Sequence, residues 1–228
     1  MTDADAPSAS SSPQSTPERE RIIEAFMGLL DAIPFEEIEL GVIAARAGVS
    51  LAELRNLFGS KLAILAAYLK EVDRRVLAGI DAELREEEPR ERLFDVLMRR
   101  IDALTPHKAA VRSLAASARR NPPLALALNS FAVRSQQWML TAADIPASGP
   151  RGQLNAQGLA LLFASVLRTW LADDDPGLAR TMSALDRALA RGQRAAGLLD
   201  GLCRIPARLC GLRPRRRREG GEGTTVAA

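Results

Sequence analysis

An all-α fold is predicted for this chain by three observations. Its 228 residues are rich in Ala, Leu and Arg with only 4% aromatic content, and such side chains lose little rotamer freedom in a helix. Apolar residues recur at three-and-four spacing in segment after segment, which places them on one helical face. No stretch alternates in the period of two that a half-buried strand requires.

The elements follow in order. Pro17 suits the first position of a helix, with Thr16 available as its cap, and Ile22, Ile23, Phe26, Leu29 and Leu30 form one face before Pro34 stops it. Next comes Ile43-Ala44-Ala45-Arg46-Ala47-Gly48-Val49-Ser50, then Leu51-Ala52-Glu53-Leu54. Gly48 can take the left-handed conformation that ends a helix, and Ser50 can cap the next one. Glu53, three residues after Ser50, completes a capping box. Two short helices joined by so tight a turn have the size and punctuation of a helix-turn-helix, whose second helix enters the major groove in DNA-binding proteins.

Ser60 is expected to cap a long helix from Lys61 to about Glu87, with Leu62, Leu65, Leu69, Val72 and Val76 facing inward. Pro89 opens a second block. Leu93, Phe94, Leu97, Met98 and Ile101 mark a helix that ends before Pro106; Val111, Leu114, Ala115 and Ala118 mark another, closed by Asn121-Pro122-Pro123. A helix from Leu124 to Ala143 carries Leu128, Phe131, Trp138 and Met139, and Ile145 to Gly152 is expected to be a loop. The segment Leu154 to Ala172 is apolar nearly all round and must be covered on several sides. Leu178, Met182, Leu185, Leu189, Gly192 and Ala196 then fall in a seam for another helix.

From Ile22 to about Leu77 the chain resembles the N-terminal domain of the tetracycline-repressor (TetR) family of transcriptional regulators. The matching positions are Ile22, Ala25 and Leu29, then Phe35 and Ile38, then Ile43-Ala44 and Ala47-Gly48-Val49-Ser50, then Phe58-Gly59-Ser60-Lys61. The resemblance implies about nine helices, with a three-helix head and a ligand-binding and dimerisation body. It implies a homodimer, a palindromic duplex operator and an apolar small-molecule effector. In that reading Ser50, Leu51, Ala52, Arg55 and Asn56 face the DNA and Lys61 holds a phosphate. Phe94, Met98, Phe131, Trp138, Phe163 and Trp170 are the candidate pocket linings, set against the alternative that they are ordinary core. Leu159, Leu162, Leu178, Met182, Leu185 and Leu189 are the candidate dimer interface. One departure stands out: where the family usually carries tyrosine and histidine on phosphates, this chain has Arg55, Asn56 and Leu57. Arginine can replace a phosphate contact and leucine cannot.

A second resemblance lies in the C-terminal block. Ala156-Gln157-Gly158-Leu159-Ala160-Leu161-Leu162-Phe163-Ala164, Trp170 to Asp175 and Leu185-Asp186-Arg187 are similar to an accessory protein family of ubiquinone biosynthesis. That family shares the TetR-like fold, and the resemblance implies lipid binding in place of DNA binding.

Charge tests these readings, because phosphate contacts dominate DNA affinity. Between Glu18 and Lys61 there are five basic residues against eight acidic ones, yet Arg46, Arg55 and Lys61 cluster around the turn while most acids lie on the first helix and its exit. The basic excess sits in Arg204, Arg208, Arg213 and Arg215 to Arg218. That stretch has three readings: a solvated tail, nonspecific DNA contact, or peripheral contact with an anionic membrane.

The remaining composition excludes rather than identifies. Cys203 and Cys210 stand seven apart, which is no zinc knuckle, and the one histidine, His107, has no imidazole partner for a metal. It is expected on the surface or at a helix cap. No nucleophilic constellation or phosphate loop is present, so neither an enzyme nor a cofactor is expected. The longest apolar run, Gly158 to Leu167, is about half of the roughly 20 residues of a membrane span, and a cytoplasmic protein is expected. The domain plan is a disordered leader over 1–16, the helix-turn-helix domain over 17–60, a connecting helix over 61–88, the body over 89–200 and the basic tail over 201–228.

Overall fold

The computed structural model describes residues 17–80 and 86–203, with side chains as far as 194. The leader, Cys203 and Cys210, Ala196 and the basic tail therefore lie outside the residues whose side chains are described. Among the described residues there are nine α-helices and no strand: α1 (Pro17–Leu30), α2 (Leu40–Ala47), α3 (Leu51–Leu57), α4 (Lys61–Ala78), α5 (Pro89–Leu104), α6 (Lys108–Ala118), α7 (Pro122–Ala142), α8 (Gly149–Leu171) and α9 (Ala179–Cys203).

The head is built on α1. Its face of Ile22, Phe26, Met27 and Leu30 is fully buried and packs against Ile43, Ala44 and Ala47 of α2. After Leu30 a 3₁₀ turn, Phe35–Glu37, sets the Phe35 ring edge-on to Phe26 with centroids 6.3 Å apart. Ser60 caps α4 by accepting from the Ala63 amide at 3.2 Å. That helix stops at Ala78, short of the expected Glu87. Its inner face is Ile64, Leu65, Tyr68, Val72 and Val76, whereas Leu62 and Leu69 are only half-buried. The buried stripe is therefore turned from the expected one, because α4 is covered by α1, α5 and α7 together.

Two boundaries of the body also differ from expectation. Asn121, expected to close α6, instead opens α7, its side chain accepting from the Leu124 amide at 3.0 Å. The loop before α8 is shorter because Pro150 sits in the first turn of the helix, where it has no amide to waste. Gly152 is then helical, and it must be glycine: a Cβ there would lie 2.1 Å from the Ala147 carbonyl carbon. Between α8 and α9 the Asp173 carboxylate is buried and takes the Thr181 amide at 2.9 Å and hydroxyl at 2.7 Å. These bonds, the hydroxyl's first, hold its pKa below the usual carboxylate range.

A single apolar core runs from Ile22 to Leu189, so head and body share one interior. Polar links cross between them. The Phe35 amide donates to Ser117 Oγ at 3.3 Å, and Asn121 Nδ2 donates to Glu36 Oε1 at 2.9 Å. His107 stands at the N-cap position of α6, one of its two expected places, though its side chain makes no capping bond: the 3₁₀ turn Thr105–His107 brings its ring edge-on to buried Tyr68 at 5.2 Å, with Nε2 3.6 Å from Glu24. Burial, and next the Glu24 charge, push the Tyr68 hydroxyl up to about 12. Deeper in, Arg100 of α5 is only 4% exposed and pairs with Asp73 of α4, whose carboxylate also accepts from Ser135 Oγ of α7 at 2.5 Å.

Candidate nucleic-acid interface

The α2–α3 turn is held by backbone conformation first and by hydrogen bonds second. Gly48 adopts φ +66° and ψ 38°, a left-handed geometry that costs a non-glycine residue roughly 1–2 kcal/mol. Its amide donates to the Ala45 carbonyl at 3.2 Å and the Val49 amide to Ala44 at 3.0 Å, closing α2. Ser50 Oγ then accepts from the Glu53 amide at 3.2 Å, and Glu53 Oε2 accepts from the Ser50 amide at 2.7 Å. The expected capping box is thus complete. The Ser50 amide, and next the Ser50 hydroxyl, hold the Glu53 pKa below its usual range.

Gly48→Val tests the strain directly. A Cβ at this position meets nothing closer than Arg21 at 3.8 Å, so space is not the obstacle and the backbone is. The expected loss is about 2 kcal/mol or more, since a β-branched residue is the worst tolerated at positive φ. Unchanged melting, together with a negative φ at this residue, would remove the conformational argument.

Of the residues on α3, only Leu54 is fully buried, and it anchors the helix to the head. Leu51 is 58% exposed, and Ala52, Arg55 and Asn56 are exposed beside it. Four of the five α3-side residues expected to face DNA therefore lie on the outer side of a short, capped helix, and the fifth, Ser50, is that helix's cap. Arg55 has no acidic partner among the described residues. Leu57 is half-buried and turned toward the body rather than outward.

Lys61 is placed differently from its expected phosphate role. Its ammonium donates to the carbonyls of Phe35 and Ile38, each at 2.7 Å, and to that of Glu36 at 3.4 Å. It also sits 4.6 Å from the Phe35 ring centroid. An ammonium has three protons, and all three point at the exit of α1. Burial pulls its pKa below the usual lysine value, against the pull of Glu36. The residue acts as a clasp inside the head.

The candidate pocket linings do not converge. Trp170 and Phe163 are buried in the core, and Met98 packs against it half-buried. Phe94 lines a small groove with Met182 between α5 and α9. Phe131 and Trp138 line a separate groove beside α4, where Trp138 is 55% exposed.

The candidate dimer residues divide in the same way. Leu159, Leu185 and Leu189 are buried within one chain, and Leu162 and Leu178 are half-buried. Leu162 Cδ1 would lie 3.3 Å from a Cβ at Gly192, so the seam on α9 is filled by α8 of its own chain. Met182 alone among the six is exposed, at 39%. The outward face of α8 is instead Leu154, Gly158 and Leu161, a stripe that the near-continuous apolarity of this helix concealed. Leu161 is 62% exposed and Gly158 has open space beside it.

The geometry defines a helix-turn-helix head fused to an all-helical body, and among the described residues no group of side chains is arranged to hold a metal ion. No protein-family model matches the chain, and no curated protein matches it in sequence. Solved structures do match. A TetR transcriptional regulator from Nitrosomonas europaea is 24% identical over 78% of this chain and 99% of its own, with a TM-score of 0.62. One from Rhodococcus sp. RHA1 is 21% identical over 77% and 95%, with a TM-score of 0.53. A TetR-family regulator from Streptomyces coelicolor is 18% identical over 87% and 90%, at 0.51. The chain has the fold of the TetR-type transcriptional regulators.

Proposed function

We propose that this protein is a dimeric DNA-binding transcriptional regulator that lays α3 in the major groove of a palindromic operator. The observation that carries the reading is the combination on α3 of a fixed entry and a free outer face. The left-handed Gly48 and the capping box aim the helix, while Leu51, Ala52, Arg55 and Asn56 remain exposed around a single buried anchor, Leu54. Arg55 carries the charge of that face. Arg46, also exposed, lies one short helix away.

Two copies related by a two-fold axis would present two α3 helices, which must stand about 34 Å apart to enter successive major grooves. The outward stripe of α8, Leu154 and Leu161 with Gly158 between them, is the surface proposed for that contact. Glycine lets two backbones approach closely, and the flanking leucines supply the apolar area. A small-molecule effector in the body belongs to the same reading.

Selection from a random duplex pool should enrich a palindrome, and affinity for it should fall steeply with salt as counterion release loses its advantage. Arg55→Ala should weaken that binding by about 1–3 kcal/mol if the guanidinium reads a base edge. A pool that yields no enriched sequence, together with a quinone-like lipid copurifying in stoichiometric amount, would replace this reading with a lipid carrier.

A further inference from the structure

The groove beside α4, which holds two of the candidate effector linings, Phe131 and Trp138, gives a chemical class to the body effector of the proposed function, and the inference rests on that part of the reading. The groove is about 950 Å³ in volume and runs between α4 and α7, with the end of α3 at one side. Its size falls within the roughly 300–1,000 Å³ of small-molecule sites. Phe58, Ala66, Leu77, Phe131 and Trp138 give it apolar walls. Its charged lining is one-sided: Arg19, Lys70, Arg74 and Arg134 face a single acid, Asp73.

That acid is already spent. Asp73 pairs with Arg100 and accepts from Ser135, so it offers little to a cation in the groove. Of the four basic groups, Arg74 is held by Glu71, with Nη2 at 2.7 Å from Oε1, and Arg19 lies over the Phe58 ring at 5.1 Å. Lys70 and Arg134 have no acidic partner among the described residues. These two cations, one of them an arginine with a planar fork of donors, line the same groove as Phe131 and Trp138 and match a carboxylate carried on an apolar chain.

We propose that the α4–α7 groove binds a medium-chain fatty acid, its tail along Phe131 and Trp138 and its carboxylate between Lys70 and Arg134. A neutral amphiphile would cover the same walls and leave both cations without a partner. A cationic one would be repelled. Trp138 is the half-exposed indole of the groove, whereas Trp170 is fully buried elsewhere, so a change in tryptophan emission on binding reports the groove.

The experiment is a fluorescence titration of the full chain with decanoate and, in parallel, with decan-1-ol. Decanoate should saturate a blue shift of the emission, decanol should require at least ten-fold higher concentration, and Trp138→Phe should abolish the signal. The double variant Lys70→Glu, Arg134→Glu should weaken decanoate ten-fold or more, with unchanged circular dichroism because both side chains are exposed. Equal binding of decanol and decanoate overturns the proposal, as does unchanged affinity in the double variant. So does a site that opens to decanoate only when residues 1–16 are removed, since the occupant would then be the chain's own N-terminus. Should the double variant fail to fold, the comparison of the two amphiphiles on the parent protein decides. No DNA enters the measurement, so the groove and the operator stand or fall separately.

Discussion

Asp73→Ala is expected to destabilise the protein by about 3–5 kcal/mol, the cost of leaving a buried charge without its partner. Arg100 is 4% exposed, and its Nε already has no hydrogen-bond partner within the described structure. The guanidinium leans on the Phe163 ring, 5.9 Å from its centroid, which supplies no hydrogen-bond acceptor. Ser135 would lose its acceptor as well. Because the pair joins α4 to α5 and Ser135 brings in α7, the loss falls on the junction of head and body. Urea unfolding monitored by circular dichroism measures it. A loss under about 1 kcal/mol would mean that Arg100 reaches water when unpaired, and the pair would then count as a surface ion pair.

Leu185→Glu is expected to unfold the chain, and Leu161→Glu to leave it folded but monomeric. Leu185 is fully buried between α9 and its own neighbours, where an ionised carboxylate costs several kcal/mol before any partner is considered. Leu161 projects from the outer stripe of α8 and loses little within the monomer. Sedimentation equilibrium and thermal melting, applied to both variants, separate the two effects. A folded, monomeric Leu185→Glu protein would return the dimer interface to the α9 seam and contradict the assignment made from burial.

The contrast between these leucines explains which features were readable in the sequence. Gly48, Ser50 and Glu53 were legible because each acts within a few residues of itself: the turn, the cap and the box follow from side-chain chemistry at fixed spacing. Ser60 and Pro17 were legible for the same reason. The seam on α9 was also real, but spacing cannot say whether the helix that fills it belongs to the same chain or to another. Here α8 of the same chain fills it. The aromatics of the body posed a similar ambiguity, and packing sent Trp170 and Phe163 to the core while leaving Trp138 at the surface. The Asp73–Arg100 pair went unread although it left a trace. Asp73 falls four residues after Leu69, and Arg100 three after Leu97, so each puts a charge at the edge of an apolar stripe. Such a charge faces inward only if another element brings its counterpart, and that is a property of the tertiary fold.

The Lys61 clasp bears on how a salt titration of the proposed DNA binding is interpreted. An ammonium held by three carbonyl dipoles, over an aromatic ring, depends on the Glu36 charge only in second place, so dissolved ions have little to displace. Screening weakens interactions between exposed charges over a Debye length of about 10 Å at 0.1 M, and it has little grip on a partly buried contact of this kind. The joint between the exit of α1 and the start of α4 should therefore keep its shape across the range of ionic strength in which phosphate contacts are lost. The slope of affinity against salt then counts phosphates, uncontaminated by any loosening of the scaffold that carries α3.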